Sequence, residues 1–223
     1  RLGGGEVNPP LAAYTQQLHL HPSRGLATIH NVLPEELIKD LQPRLRNVDV
    51  EDIRLELQSL ASESGDEVVA HLVGSRLYGA AMVDADIDLV LERKDSKEIN
   101  MDSMRRDSMF ALIKLRRRLE SEQTWSVEDM ALDARRPTLR LRKAGIDAVV
   151  EVTFDQTLAT LLKSELLARA IRQSASHHMV LLLIRLWLAR RGLCGQRKGF
   201  PSGYAFGLMV AYHWQRLGIL GAL

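Results

Sequence analysis

Two carboxylates, Asp86 and Asp88, flank the single apolar residue Ile87 and run into Leu89-Val90-Leu91. In an extended chain, side chains two apart share a face, so this pair points one way while Ile87 points into a core. Eleven residues before Asp86, an apolar run ends abruptly in Gly74-Ser75. Such an ending reads as a strand whose last backbone N–H groups open onto a pocket. Glycine lets the backbone approach a bulky anion, and the serine hydroxyl adds a hydrogen bond. Paired carboxylates beside a phosphate-ready turn are the parts of a divalent-metal phosphoryl-transfer site.

Two other readings compete for the same residues. Asp84, Asp86 and Asp88 fit positions 1, 3 and 5 of an EF-hand loop, but positions 6 and 12 hold Leu89 and Asp95, where glycine and glutamate are needed. That reading fails. The blander one makes Asp86 and Asp88 the solvent face of an edge strand, and the Gly-Ser turn argues against it.

The elements that must position these residues follow from periodicity. The stretch His71–Leu91 reads as a buried strand, the Gly-Ser turn, a short helical connection and a second strand. Before it, Pro34-Glu35-Glu36 starts a helix to about Leu41, and Asp49–Ser62 is an amphipathic helix with Ile53, Leu57 and Leu60 facing a core. After it come a helix over Met101–Glu122, strands at 126–133 and 138–143, and a strand Asp147–Phe154 that places Asp147, Val149, Glu151 and Thr153 on one face. The basic run Lys114, Arg116, Arg117, Arg118 is a solvated helix face, or alternatively a contact for an RNA backbone. From Asp155 the pattern turns helical: Thr157–Gln173, Ser176–Arg191 with Gly192 as its stop, and Tyr204–Leu217.

Composition narrows the class. With 223 residues, 46% hydrophobic and 26% charged, the chain is an ordinary globular one, large enough for one large domain or two small ones. A net charge of +2 means that any nucleic-acid surface must come from local clustering. Cys194 is the only cysteine, so no internal disulfide forms and an intracellular, reducing compartment is expected. No apolar run reaches the length of a membrane span. His19 and His21 lack partners at zinc spacing and read as surface residues. The first residues, Arg-Leu-Gly-Gly-Gly, and the last, Leu-Gly-Ile-Leu-Gly-Ala-Leu, both read as cuts in a longer chain.

The segment VGSRLYGAAMVDADIDLVL resembles the nucleotidyltransferase superfamily that includes DNA polymerase beta, and most of all its template-independent branch, the noncanonical poly(A) and poly(U) polymerases. The resemblance extends over residues 35–217. It implies an α/β (α+β) fold, with a nucleotidyltransferase domain with a mixed sheet at 34–155 and a helical, poly(A)-polymerase-associated-like domain at 156–223; the Gly- and Pro-punctuated residues 1–33 before them read as an irregular segment. Implied too is transfer of nucleoside monophosphate from an NTP to an RNA 3′-hydroxyl, with Mg²⁺ or Mn²⁺ held by Asp86, Asp88 and Glu151. Gly74, Ser75, Arg185 and Ser202 would contact phosphates, and Tyr204 would stack on the base. RNA is the implied partner, with other proteins of a ribonucleoprotein assembly. This chain departs from the family pattern at three places: glutamate for aspartate at Glu151, no second cation at Ala189, and no middle serine at Gly203. Those departures support a rival expectation, a degenerate member of the fold that binds RNA as a structural subunit.

Overall fold

The computed structural model describes residues 47–62, 67–82, 85–94, 101–134, 136–155, 158–173, 175–193 and 199–220. The irregular segment and the helix expected at 34–41, with His19, His21, His30 and Asp84, lie outside them. Within them the order is α1 (Asn47–Ser62), β1 (Val68–Val73), α2 (Gly74–Leu77), β2 (Ile87–Arg93), α3 (Met101–Leu119), β3 (Trp125–Ala131), β4 (Thr138–Lys143), β5 (Val149–Phe154), α4 (Ala159–Arg172), α5 (Ala175–Arg190) and α6 (Gly203–Arg216). Boundaries differ from the sequence reading by a few residues at element ends, where fraying and capping outweigh periodicity. Two shifts concern site residues. β2 begins at Ile87, so Asp86 sits just before the strand, and β5 begins at Val149, so Asp147 does not share a strand face with Glu151.

The five strands form one mixed sheet in the order β1-β2-β5-β4-β3. β2 pairs antiparallel with β1 and parallel with β5, while β4 pairs antiparallel with both β5 and β3. One face carries Ile87, Leu89 and Leu91 of β2 with Val150 and Val152 of β5, and packs on α1 and α3 through Ile53, Leu57, Leu112 and Leu115. Each such side chain contributes roughly 2 kcal/mol when fully buried. A one-residue slip would expose the whole set, so register is fixed and every second residue is committed to the other face. There, Val90 packs with Val73 and Leu161, which brings α4 onto the sheet. Asp88 and Glu151 share that second face.

The helical end has its own apolar cluster. Leu167, Ala170 and Ile171 of α4, Leu181 and Leu186 of α5, and Ala211 and Trp214 of α6 pack together with Tyr78 and Ala80, which follow α2 directly. A Cβ on Gly207 would come within 2.6 Å of Leu167 Cδ2, so glycine permits the close crossing of α6 on α4. His177 stacks on Trp214 with ring centroids 4.3 Å apart. No helix among the described residues is long and apolar enough to cross a membrane.

Candidate active site

β1 delivers its last residue, Val73, straight into Gly74, which adopts φ +69° to start α2. That conformation is easy only for glycine, and space requires it as well: a Cβ here would lie 2.1 Å from Asp88 Oδ2. The Gly74 N–H does not open onto a pocket. It donates to the buried Ser164 hydroxyl of α4 at 3.1 Å, and Ser164 Oγ in turn donates to the Thr160 carbonyl at 2.9 Å. Ser75 is buried, at 8% exposure. The Gly-Ser turn therefore joins sheet to helices and lies hard against Asp88.

Asp88 and Glu151 are direct register partners across the parallel β2–β5 pair. Burial, then the charges of Glu151 and Asp86, push the Asp88 carboxyl up to about 7. Such a group holds its proton more tightly in the native state than in the unfolded chain, where it titrates near 4. Its contribution to stability is complete at low pH and is lost as pH rises through 7. The expected result in EDTA is a melting temperature that falls between pH 5 and pH 8, by an amount on the order of a few kcal/mol in stability. Asp88→Asn should flatten that part of the curve. Parallel pH curves for the parent and Asp88→Asn would show the proton to be held elsewhere.

Two arginines frame the carboxylates, and the sequence reading missed both. Arg76, in α2, donates from Nε to the Asp86 carbonyl at 3.1 Å and from Nη2 to the Ala85 carbonyl at 2.6 Å, pinning the backbone that leads into β2. Burial lowers its pKa, against the pull of Asp88 and Asp86. Arg140, the register partner of Glu151 in β4, places Nη1 3.3 Å from Glu151 Oε2 and Nη2 3.7 Å from Asp86 Oδ2. It thus bridges two of the three carboxylates. As the side chains stand, no group of three or more His, Cys, Asp or Glu among the described residues is gathered to hold a metal ion.

The remaining expected site residues belong to the helical end. Arg185 Nη1 donates to the Ala80 carbonyl, and its charge favours ionisation of both Asp88 and Tyr78. A Cβ on Gly203 would approach Arg185 Nη2 to 3.4 Å, so the missing serine leaves room for this guanidinium. Ser202 caps α6 by accepting the Ala205 N–H at 3.1 Å. Tyr204 is partly buried against the helical cluster, and that burial raises its pKa. Ala189 and Arg190 are exposed on α5. The turn, Asp86, Asp88 and Glu151 meet on the sheet, and Arg185 faces them from α5. Ser202 and Tyr204 lie at the start of α6, beside Gly203 and hence beside Arg185.

The five-stranded mixed sheet, with a helical cluster packed over the turn, has the polymerase-beta-like nucleotidyltransferase fold. Solved structures with this fold include terminal uridylyl transferase 4 from Trypanosoma brucei with bound GTP, at TM-score 0.71 and 17% identity, covering 91% of this chain and 62% of that one. The structure of the GLD-2/RNP-8 complex matches at TM-score 0.70 and 20% identity over 87% of this chain and 57% of that one. The polymerase core of TRAMP, a RNA surveillance complex, matches at 0.60 and 16% identity over 77% of this chain and 50% of that one. This chain thus spans less than two thirds of the length of each. No protein-family model matches the sequence, and neither does any curated protein.

Proposed function

We propose that this chain is the catalytic part of a template-independent RNA 3′-terminal nucleotidyltransferase, adding nucleoside monophosphates from an NTP to an RNA end. The observation that carries the reading is the side-by-side placement of Asp88 and Glu151 on adjacent parallel strands, beneath the close approach of Gly74 and next to Asp86. The solved structures with this fold include uridylyl transferases holding UTP, CTP and GTP, which supports an NTP as substrate. Two others are named as complexes, which supports protein partners, and an RNA terminal U-transferase and an RNA surveillance complex among these structures support an RNA target.

The donor set fits a hard divalent ion. It offers oxygen ligands only, and burial, with the like charges of Glu151 and Asp86 beside it, already raises the Asp88 pKa. Asp86, Asp88 and Glu151 would hold Mg²⁺ or Mn²⁺, which when bound lowers the pKa of the attacking 3′-hydroxyl and neutralises charge on the departing pyrophosphate. Arg140 has to release Asp86 and Glu151 for that, leaving its guanidinium free to meet an incoming phosphate. Arg76 holds the backbone before β2, so that Asp86 keeps its aim. Arg185 brings positive charge toward the triphosphate from α5, where the space at Gly203 accommodates it. Tyr204 would stack on the base, an interaction tolerant of base identity.

The same bridging by Arg140 favours a second reading, an RNA-binding subunit of a ribonucleoprotein assembly that performs no transfer. A guanidinium that neutralises the carboxylates permanently would take the place of metal. Labelled NTP incorporation into an RNA primer with Mg²⁺ or Mn²⁺ separates the two, using the parent and Glu151→Asp. Aspartate is one methylene shorter and cannot reach Arg140 as glutamate does, which frees the carboxylate for metal, so transfer is expected to rise by up to about a hundredfold. Incorporation by neither protein would establish the binding subunit. An active parent slowed by Glu151→Asp would show a site adapted to glutamate.

A further inference from the structure

The basic run in α3 divides in the folded chain. Arg116 pairs with Glu120 at 2.7 Å. Lys114, Arg117, Arg118 and Ser121, at spacings of three and four, form one stripe along the wall of a cavity of about 530 Å³, which Arg116 does not line. Arg93, from the far end of β2, closes the other side, its guanidinium 5.9 Å from the centre of the Phe154 ring. The rest of the lining is apolar, and no acidic side chain is among the described residues that form it. Volumes of roughly 300–1,000 Å³ are typical of small-molecule sites, so a nucleotide unit fits. Lys114 and Arg117, exposed and three residues apart, are like charges that repel each other, a repulsion that a bound polyanion relieves.

We infer that this cavity holds the phosphodiester backbone of the RNA strand upstream of its reacting 3′ end. The inference rests on the transferase reading for the identity of the polyanion, since the substrate strand is already tethered to the same molecule. The geometry makes the site a separate one. Arg93 lies five residues along β2 from Asp88, about 16 Å at strand spacing, and both Arg93 and Phe154 belong to the sheet face opposite the carboxylates. Because the cavity and the carboxylates lie on opposite faces, a strand joining them must also round the sheet edge, a path longer than that span, which a 20-nucleotide RNA covers and a 4-nucleotide one does not.

The test compares the parent chain with Lys114→Gln/Arg117→Gln, both exposed positions, and with the triple variant that adds Arg118→Gln. Affinities for a 20-nucleotide and a 4-nucleotide RNA are measured by fluorescence anisotropy across a salt series, with extension of both primers alongside. The double variant should weaken 20-nucleotide binding about tenfold or more at low salt and flatten its log–log salt slope by about 1.4, two contacts at roughly 0.7 each for a single strand. Binding and extension of the 4-nucleotide RNA should not change. Equal effects on both lengths, or none on either, would overturn the inference. So would a glutamate-rich peptide whose binding the variants abolish while the RNA slope stays the same, since the cavity would then serve a protein. A length-specific loss of binding in a chain that extends no primer would keep the cavity assignment and remove the transferase reading. Primer extension without any length effect would do the reverse.

Discussion

Replacing Asp86 and Asp88 together by alanine is expected to abolish nucleotide transfer, with a loss of at least about a thousandfold, while leaving the protein folded and more stable to heat in EDTA. The loss follows from what the carboxylates would do. A metal clamp supplies several kcal/mol of transition-state stabilisation, and each 1.4 kcal/mol is about a factor of ten. The gain in stability follows from the crowding around Asp88, where burial and the neighbouring charges of Glu151 and Asp86 lift its pKa to about 7. With both aspartates gone, Glu151 keeps its hydrogen bond from Arg140. Added Mn²⁺ should raise the melting temperature of the parent and leave that of the double variant unchanged, a readout independent of catalysis. Undiminished transfer by the variant would move the catalytic site elsewhere. A parent that melts higher than the variant in EDTA would mean that Arg140 and Arg76 fully compensate the cluster.

The fold was readable because its signals are local. Alternation in Asp86-Ile87-Asp88-Leu89 and in Val149–Phe154 identified both site strands, and the resemblance of the Gly-Ser and Asp-Ile-Asp segments carried the architecture. What stayed hidden was register. Thr138–Lys143 alternates plainly, with Leu139 and Leu141 buried, but nothing local says that Arg140 sits opposite Glu151, because the turn at Lys143–Ala148 sets that pairing. Arg76 was passed over because its role lies in hydrogen bonds to backbone carbonyls nine and ten residues away, which leave no pattern of residue types. Ser164 is a partner of Gly74 across ninety positions. Gly203 read as a missing serine, whereas its neighbour Arg185 gives the absence a steric sense. The basic run in α3 could be assigned to a helix but not divided, since the separation of Arg116 from its neighbours depends on which face meets Arg93 and Phe154.

Gly74→Ala is expected to cost about a hundredfold in transfer rate and to destabilise the protein, for two reasons that can be measured apart. At φ +69° an alanine pays on the order of 1 kcal/mol in backbone strain. Its methyl would also fall 2.1 Å from Asp88 Oδ2 and 2.9 Å from Asp88 Cγ, so the carboxylate or the turn must shift by roughly 1 Å. Displacements of that size at a reacting centre account for losses of about two orders of magnitude. Gly145 supplies the control. It has φ +79°, and an added Cβ meets nothing within 4 Å, so Gly145→Ala should show the strain alone and transfer at the parental rate. A double-mutant cycle then isolates the contact. In an Asp88→Ala background the offending oxygen and Cγ are gone and only the Cβ contact at 3.2 Å remains, so the stability cost of Gly74→Ala should shrink most of the way to that of Gly145→Ala. If the cost is the same with and without Asp88, the glycine is needed for its backbone angle only. The turn would then have room for a side chain, and the tight seat of Asp88 beneath it, on which the catalytic reading depends, would be lost.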